Sequence, residues 1–258
     1  IARELKVIGL INIQYVVQNE QPYIIEANPR ASRTVPFVAK AIGHPIATYA
    51  ALLMAGKTLD EVGFKGYPKN DHVAVKEVTL PFDKFPGTDT LLGPEMRSTG
   101  EVMGIDVDFS HAFAKAQVAA GQLLPLSGSV FISMNDQSKQ DIVPVARELV
   151  DLGYRLVSTE GTAKFFESNG VTCQSILKIH EGRPNIADAI KDKEIGLVLI
   201  TSSRDALDQE DGRYLRRLTL GMKIPMVTTV AGARATVKAL EALRAGELKQ
   251  TALQDHFL

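Results

Sequence analysis

The sequence predicts an α/β protein with a parallel sheet, on three observations. Short apolar runs rich in branched residues alternate with helix-period segments from Val130 to the C-terminal end. Strands separated by helices of that length imply parallel pairing with helices on both faces. A strand–turn–strand pattern opens the chain, and polar Ser and Thr residues gather where the later apolar runs stop.

Val7 to Val17 is apolar and branched, Asn19-Glu20 forms a polar turn, and Pro22 to Ile25 returns, so a β-hairpin is expected. Asn28-Pro29-Arg30 cannot continue the second strand. Phe37 to Ile42 and Ile46 to Ala55 read as short helices separated by Gly43-His44-Pro45. From Gly56 to about Pro94 the chain is heavy in Gly, Pro and Asp, interrupted by one strand, Val73 to Leu80. Phe109, Ala112, Phe113 and Ala116 mark a helix from about Asp108 to Ala120. Gly121 to Ser127 reads as a linker, giving domains 1–120 and 121–258.

Beyond it, Val130 to Met134 is a strand, and Asp141 to Leu152 a helix despite Pro144. Tyr154 to Ser158 is a strand and Gly161 to Ser168 a helix. Cys173 to Leu177 follows as a strand, Asn185 to Lys191 as a helix, and Ile195 to Ile200 as a strand. Asp211 to Leu220, Met226 to Val230 and Arg234 to Ala245 complete the series as helix, strand and helix.

Composition excludes several classes. The 258 residues are 45% hydrophobic and 23% charged with net charge −1, which suits a folded chain of two domains and not a disordered one. Mixed charges argue against a nucleic-acid binder. No apolar run approaches the roughly 18 residues of a membrane span. One cysteine, Cys173, allows no internal disulfide and fits a reducing compartment. The chain begins at Ile1 and runs into a strand pattern, as expected of a piece cut from a longer protein.

Two constellations carry chemistry. In the first, Gln14 on the opening strand faces Glu26 at the end of the second, and Asn28 follows. One carboxylate with two amide oxygens suits a hard cation such as Mg²⁺. Arg30 and Arg33 add guanidinium groups for oxyanions, a set that phosphoryl transfer uses. A polar hairpin end with surface charges is the competing reading. In the second, Ser133, Ser158-Thr-Glu-Gly-Thr162 and Thr201-Ser-Ser-Arg204 each follow a strand, with Lys139 and Lys178 available. Ligands of open parallel sheets bind beyond the carboxyl ends of strands, and amides at a helix start hold anions. Ordinary helix capping by Ser and Thr is the competing reading.

Glu26-Ala-Asn-Pro-Arg-Ala-Ser-Arg-Thr-Val-Pro-Phe37, Lys76-Glu-Val-Thr-Leu-Pro-Phe82 and Leu92-Gly-Pro-Glu-Met-Arg-Ser-Thr-Gly-Glu-Val-Met-Gly104 resemble the carbamoyl-phosphate synthetase large-subunit family. The first resembles the end of its second ATP-grasp half. Ser158-Thr-Glu-Gly-Thr-Ala163 and Lys178-Ile-His-Glu-Gly-Arg-Pro184 resemble the methylglyoxal-synthase-like domain that ends that subunit. The resemblance runs from about Gly9 to the last residue. It implies the C-terminal part of an ATP-grasp domain followed by a parallel-sheet, methylglyoxal-synthase-like (Rossmann-like) allosteric domain.

The resemblance also implies roles. Gln14, Glu26 and Asn28 would hold Mg or Mn on ATP phosphates, two ions in the complete enzyme. Arg30 and Arg33 would sit by the transferring phosphoryl group or carbamate. Lys76, Met96 and Glu101 would lie near the carbamate tunnel. Glu77 and Thr228 would serve an ornithine-type effector, although Val227 stands where that pattern has an acid. Ser133, Lys139, Thr159, Thr162, Lys178, Thr201 and Ser202 would bind UMP- or IMP-type effectors, although Ile200 replaces an asparagine of the pattern. The partners implied are ATP, carbamate and a glutaminase small subunit, with no nucleic acid or membrane. A homo-oligomer is left open, and the compartment implied is the cytoplasm, or the plastid stroma in a plant. Upstream ATP-binding groups are absent, so the fragment is expected to be inactive alone.

Other residues read more plainly. His180 beside Glu181 caps or bonds backbone, Cys173 is buried and inert, and Arg213, Arg216 and Arg217 form a solvated or interface face. The competing functions are a separate nucleotide-binding regulatory module and a methylglyoxal-forming lyase with Glu160 as base.

Overall fold

A computed structural model describes residues 1–66, 69–79, 100–201 and 206–257. Two compact units emerge: residues 1–72 with 250–258, and residues 73–249. The division thus falls at 72/73 in space, where the linker composition pointed to 120/121. The reason is helical packing inside the second unit, described below.

In the first unit, strands β1 (Asn12–Gln18) and β2 (Gln21–Asn28) form an antiparallel ribbon. Its turn, Asn19-Glu20, has both residues at positive φ, 50° and 63°, as tight hairpin turns demand. The expected strand from Val7 starts only at Asn12, because Gly9 at φ 96° turns the chain beside Met54. Helix α1 (Thr34–Ile42) ends at Gly43 in the left-handed region, and α2 (Ile46–Met54) follows. The ring of Phe257, in a 3₁₀ turn over Leu253–Phe257, covers Gly43 so closely that a Cβ there would meet it at 2.7 Å.

The second unit opens with antiparallel strands β3 (Val73–Thr79) and β4 (Gly100–Asp106), then α3 (Phe109–Ala119). Helix α3 lies on this pair at backbone contact: a Cβ on Gly104 would sit 1.9 Å from the Ala112 carbonyl oxygen. Its Ala112, Ala114 and Ala116 are fully buried.

The parallel sheet has the order β7 (Gln174–Ile176), β6 (Arg155–Thr159), β5 (Ser129–Ser133), β8 (Ile195–Ile200), β9 (Met226–Val227). Alternation along the strands divides the core. Val130, Ile132, Leu156, Leu197 and Leu199 pack against Ile142, Val145 and Leu149 of α4 (Asp136–Asp151), Phe166 of α5 (Glu160–Ser168), and Val237 and Leu240 of α8 (Val230–Ala245). Phe131, Val157, Val198 and Ile200 face the other way, onto Ile186 and Ile190 of α6 (Ile186–Lys191) and Leu215 of α7 (Ala206–Gly221). This is the two-faced burial that branched, non-alternating strands require. Helix α3 also packs on α8, which draws residues 73–120 into this unit.

Several helices start earlier than their periodicity indicated. Helix α4 begins at Asp136 behind its cap Asn135, so Pro144 falls mid-helix. Pro144 and Gln140 are exposed, so water reaches the carbonyl that the proline cannot bond.

Candidate functional site

The first constellation keeps its geometry on the ribbon. Gln14 pairs with Glu26, and Asn12 with Asn28, across the ladder. Residues two apart share a face, and Asn28 Nδ2 donates to Glu26 Oε1 at 2.9 Å. That orientation leaves the Asn28 carbonyl oxygen as an acceptor beside the carboxylate. The set is all oxygen, suited to Mg²⁺ or Mn²⁺ and unsuited to Zn²⁺. With one carboxylate it is weak by itself, and no group of three or more His, Cys, Asp or Glu that could hold a metal occurs among the described residues. Arg30 Nη1 donates to the Ala31 carbonyl at 3.0 Å, while Arg33 occupies the N-cap position of α1. Both are exposed.

In the second unit, the strand order reverses between β5 and β8: the chain fills one side through β6 and β7, then returns to the other. Ligands of open α/β sheets bind at such a switch point, beyond the carboxyl ends. A pocket of about 840 Å³ opens there, lined by Ser133, Lys139, Thr159, Thr162, Lys178 and Thr201. Six residues from five separate stretches of sequence are thereby brought together. Ser202 lies outside the described residues.

Capping does not account for these side chains. Helix α4 is capped by Asn135, whose Oδ1 accepts from Ser138 N–H, and not by Ser133. Thr159 holds the N-cap position of α5 but makes no side-chain cap bond. Thr201 Oγ1 accepts from Asn135 N–H at 2.8 Å, tying the β8 end to the start of α4. Thr159 and Thr162 are 8% and 2% exposed, so their hydroxyls face protein or pocket and not bulk water. The first turn of α5 therefore offers amides to the pocket with no side-chain cap, where the helix dipole favours an anion. Gly161 leaves room for Lys139, whose Nζ lies 3.7 Å from where a Cβ would stand.

The pocket also holds residues that sequence reasoning missed: Asp208, Asp211, Arg213 and Arg216 of α7. Arg216 is 4% exposed, so of the solvated or interface face expected for it the solvated alternative is overturned. Asp208, Asp211, Gly212, Leu215 and Arg216 follow the spacing of one helix face. Acidic Asp208 and Asp211 on that face break the apolar period by which a helix start is recognised in sequence. Lys178 Nζ pairs with Asp208 at 2.7 Å, and Lys139 Nζ with Asp136 at 2.7 Å. Lys139 holds the exposed Asp136 carboxyl below its ordinary pKa. Asp211 Oδ2 accepts from Ile179 N–H, His180 N–H and His180 Nδ1, fixing the turn after Lys178. Thus His180 bonds across to a carboxylate of α7, not to backbone.

On the β3–β4 pair, Lys76 Nζ meets Glu101 at 2.5 Å. Met96, their expected companion, lies outside the described residues. Glu77 is half-buried, and that burial pushes its carboxyl above the ordinary range against bonds from the Val78 amide and from Gln117 Nε2 at 3.1 Å. Gln117, itself buried on α3, was not anticipated. Thr228 is exposed between β9 and α8, and no hydrogen bond among the described residues joins it to Glu77. Cys173 is buried, its thiol pushed up by desolvation. Glu160 is exposed and pairs with Lys164 at 2.6 Å, one turn further along α5.

Comparison with known proteins gives two matching family models. Residues 1–62 match the "Carbamoyl-phosphate synthase L chain, ATP binding domain" and residues 141–228 the "MGS-like domain". The chain is 54% identical, over all of its 258 residues, to the chloroplastic "Carbamoyl phosphate synthase arginine-specific large chain" of Oryza sativa and likewise of Arabidopsis thaliana, covering 22% of each. It is 55% identical over 257 residues to the "Carbamoyl phosphate synthase large chain" of Synechocystis, covering 24%. The chain therefore spans about a quarter or less of these relatives and corresponds to their C-terminal region. A methylglyoxal synthase structure from Elizabethkingia anophelis aligns at 20% identity over 44% of this chain and 79% of its own, with a TM-score of 0.38. The match over the whole chain overturns the lyase reading and that of a separate regulatory module.

Proposed function

We propose, for a chain that belongs by sequence to the carbamoyl phosphate synthase large-chain family, that its second unit is a nucleotide-effector module and its first unit is part of a carbamate-phosphorylating site. The observation that carries this reading is the convergence of Ser133, Lys139, Thr159, Thr162, Lys178 and Thr201 on one pocket at the sheet's switch point. A volume of about 840 Å³ is ample for a nucleoside monophosphate. The phosphate sits at the start of α5, with Lys139 and Lys178 beside it and the Thr159 and Thr162 hydroxyls completing its contacts. UMP- and IMP-type ligands are the expected effectors.

In the first unit, Gln14, Glu26 and Asn28 would hold Mg²⁺ or Mn²⁺, which would supply neutralisation of phosphate charge when ATP is bound. Arg30 and Arg33 orient the oxyanions of the transferring group. The ribbon supports a larger domain around it. Tyr15, Val17, Tyr23 and Ile25 are all about half exposed or more, and a two-stranded ribbon is marginal alone. The rest of that domain supplies the nucleotide clamp, so the 258-residue chain alone turns over no ATP. Magnesium-dependent ATP hydrolysis by the purified chain, at a rate near that of a full-length relative, would count against this.

Lys76, Met96 and Glu101 belong to the carbamate exit, and Glu77, steadied by Gln117, to a cationic amino-acid effector site shared with Thr228. In the complete enzyme these units act with a glutaminase small subunit, making carbamoyl phosphate from bicarbonate, glutamine-derived ammonia and two ATP. The compartment is the cytoplasm, or the plastid stroma in a plant source.

Calorimetric titration of UMP and IMP tests the effector site. Lys178→Ala and Thr162→Ala should each weaken binding about tenfold or more, as expected for removing a charge-assisted or buried hydrogen bond. Unchanged affinity in both variants would remove the site.

A further inference from the structure

The pocket carries carboxylates where an anion site would be expected to exclude them. Asp136, Asp208 and Asp211 share its lining with Lys139, Lys178, Arg213 and Arg216. The three acids differ in what they do. Asp136 is 93% exposed at its pair with Lys139, so solvent screens it heavily. Asp211 is committed to the turn at residues 178–181 through three donors. Asp208 reaches across from the first turn of α7 to the Lys178 ammonium at 2.7 Å, with both side chains only about 30% exposed.

We propose that Asp208 is the internal counter-anion of the phosphate site: it occupies Lys178 in the ligand-free protein and yields when a phosphate dianion binds. The inference rests on the effector-site reading above. A dianion drawn to Lys178 comes within a few ångströms of Asp208. At such distances, in a half-buried site that water screens only in part, the two like charges repel. The two anions therefore do not both hold the ammonium at full strength. Asp211 holds the turn at residues 178–181 to α7 through its own three donors, so an exchange at Lys178 leaves the helix attached. Asp208 thus lowers affinity for any phosphate.

The test is calorimetric titration of inorganic phosphate and of UMP into the full chain, as wild type, Asp208→Asn, Asp208→Ala, Lys178→Ala and the Asp208→Asn/Lys178→Ala double variant. Thermal melts check that each folds. Both Asp208 variants should bind phosphate about tenfold tighter, and the gain should vanish in the Lys178→Ala background, as a coupled pair requires. If UMP gains less than phosphate, the counter-anion role still stands, because the phosphate arm carries it. Phosphate affinity unchanged or weakened in both folded Asp208 variants, with wild type binding normally, overturns the inference and spares the effector-site reading. No binding of either probe by any folded variant sinks both.

Discussion

Replacing Gly104 by alanine tests how the second unit is put together. Position 104 lies on β4 beneath α3. An added Cβ would stand 1.9 Å from the Ala112 carbonyl oxygen and 2.5 Å from the Ala116 nitrogen. Both are helix backbone, so no rotamer change relieves the clash. A contact of even 3.0 Å requires α3 and β4 to part by about 1 Å, and α3 also packs on α8. Overpacking of a tight interior costs about 1–3 kcal/mol, and a backbone-to-backbone clash belongs at the upper end. For a unit of this size, about 3 kcal/mol lowers Tm by roughly 6–12 °C. Melting followed by far-ultraviolet circular dichroism measures it. Gly221→Ala is the control: nothing lies within 4 Å of its Cβ position at the end of α7, so its Tm should stay put or rise slightly. A Gly104→Ala Tm within 2 °C of wild type would refute the close approach of α3 to β4.

Glu77 gives a pH signature. Its carboxyl is raised above the ordinary 4.5 mainly by desolvation. A carboxylate with a raised folded-state pKa costs no stability below the unfolded value; the cost builds as pH climbs from there through the folded value and is complete above it. Glu77→Gln keeps an acceptor for Gln117 and cannot ionise. Its Tm should exceed wild type at pH 7 and converge with it near pH 4; a gain that is equal at both values would contradict the burial. Asn185→Ala removes a buried cap that accepts from Ala187 N–H at 3.0 Å and donates to the Gly182 carbonyl at 2.6 Å. Urea unfolding should show a loss of about 1–2 kcal/mol, and a loss under 0.3 kcal/mol would deny the cap.

The sequence made some parts of this molecule legible and hid others, for physical reasons. Strand β8 was read to the residue, since Ile195–Ile200 is apolar throughout and bounded by polar residues. Strand β4 went unread because Gly100 and Gly104 depress strand character, yet Gly104 is glycine so that α3 can approach. The start of α7 was missed because Asp208 and Asp211 break the apolar period that marks a helix, and they do so because they face a pocket and not the core. The phosphate-type hydroxyls were visible because strand ends announce themselves in sequence. The acid that answers Lys178 was not, since a pairing with Asp208 across 30 residues leaves no local trace. Gln14, Glu26 and Asn28 emerged on one face, as the period-two pleat of a hairpin requires.

The central claim, an anion site at the start of α5, is tested most directly by titrating UMP into isotopically labelled chain and following backbone amide resonances. The account predicts saturable shifts concentrated at Gly161 and Thr162, with smaller ones at Asn135 and Lys178. It also predicts none on the ribbon around Gln14 and Glu26. Shifts that spare Gly161 and Thr162 while UMP binds elsewhere would contradict it.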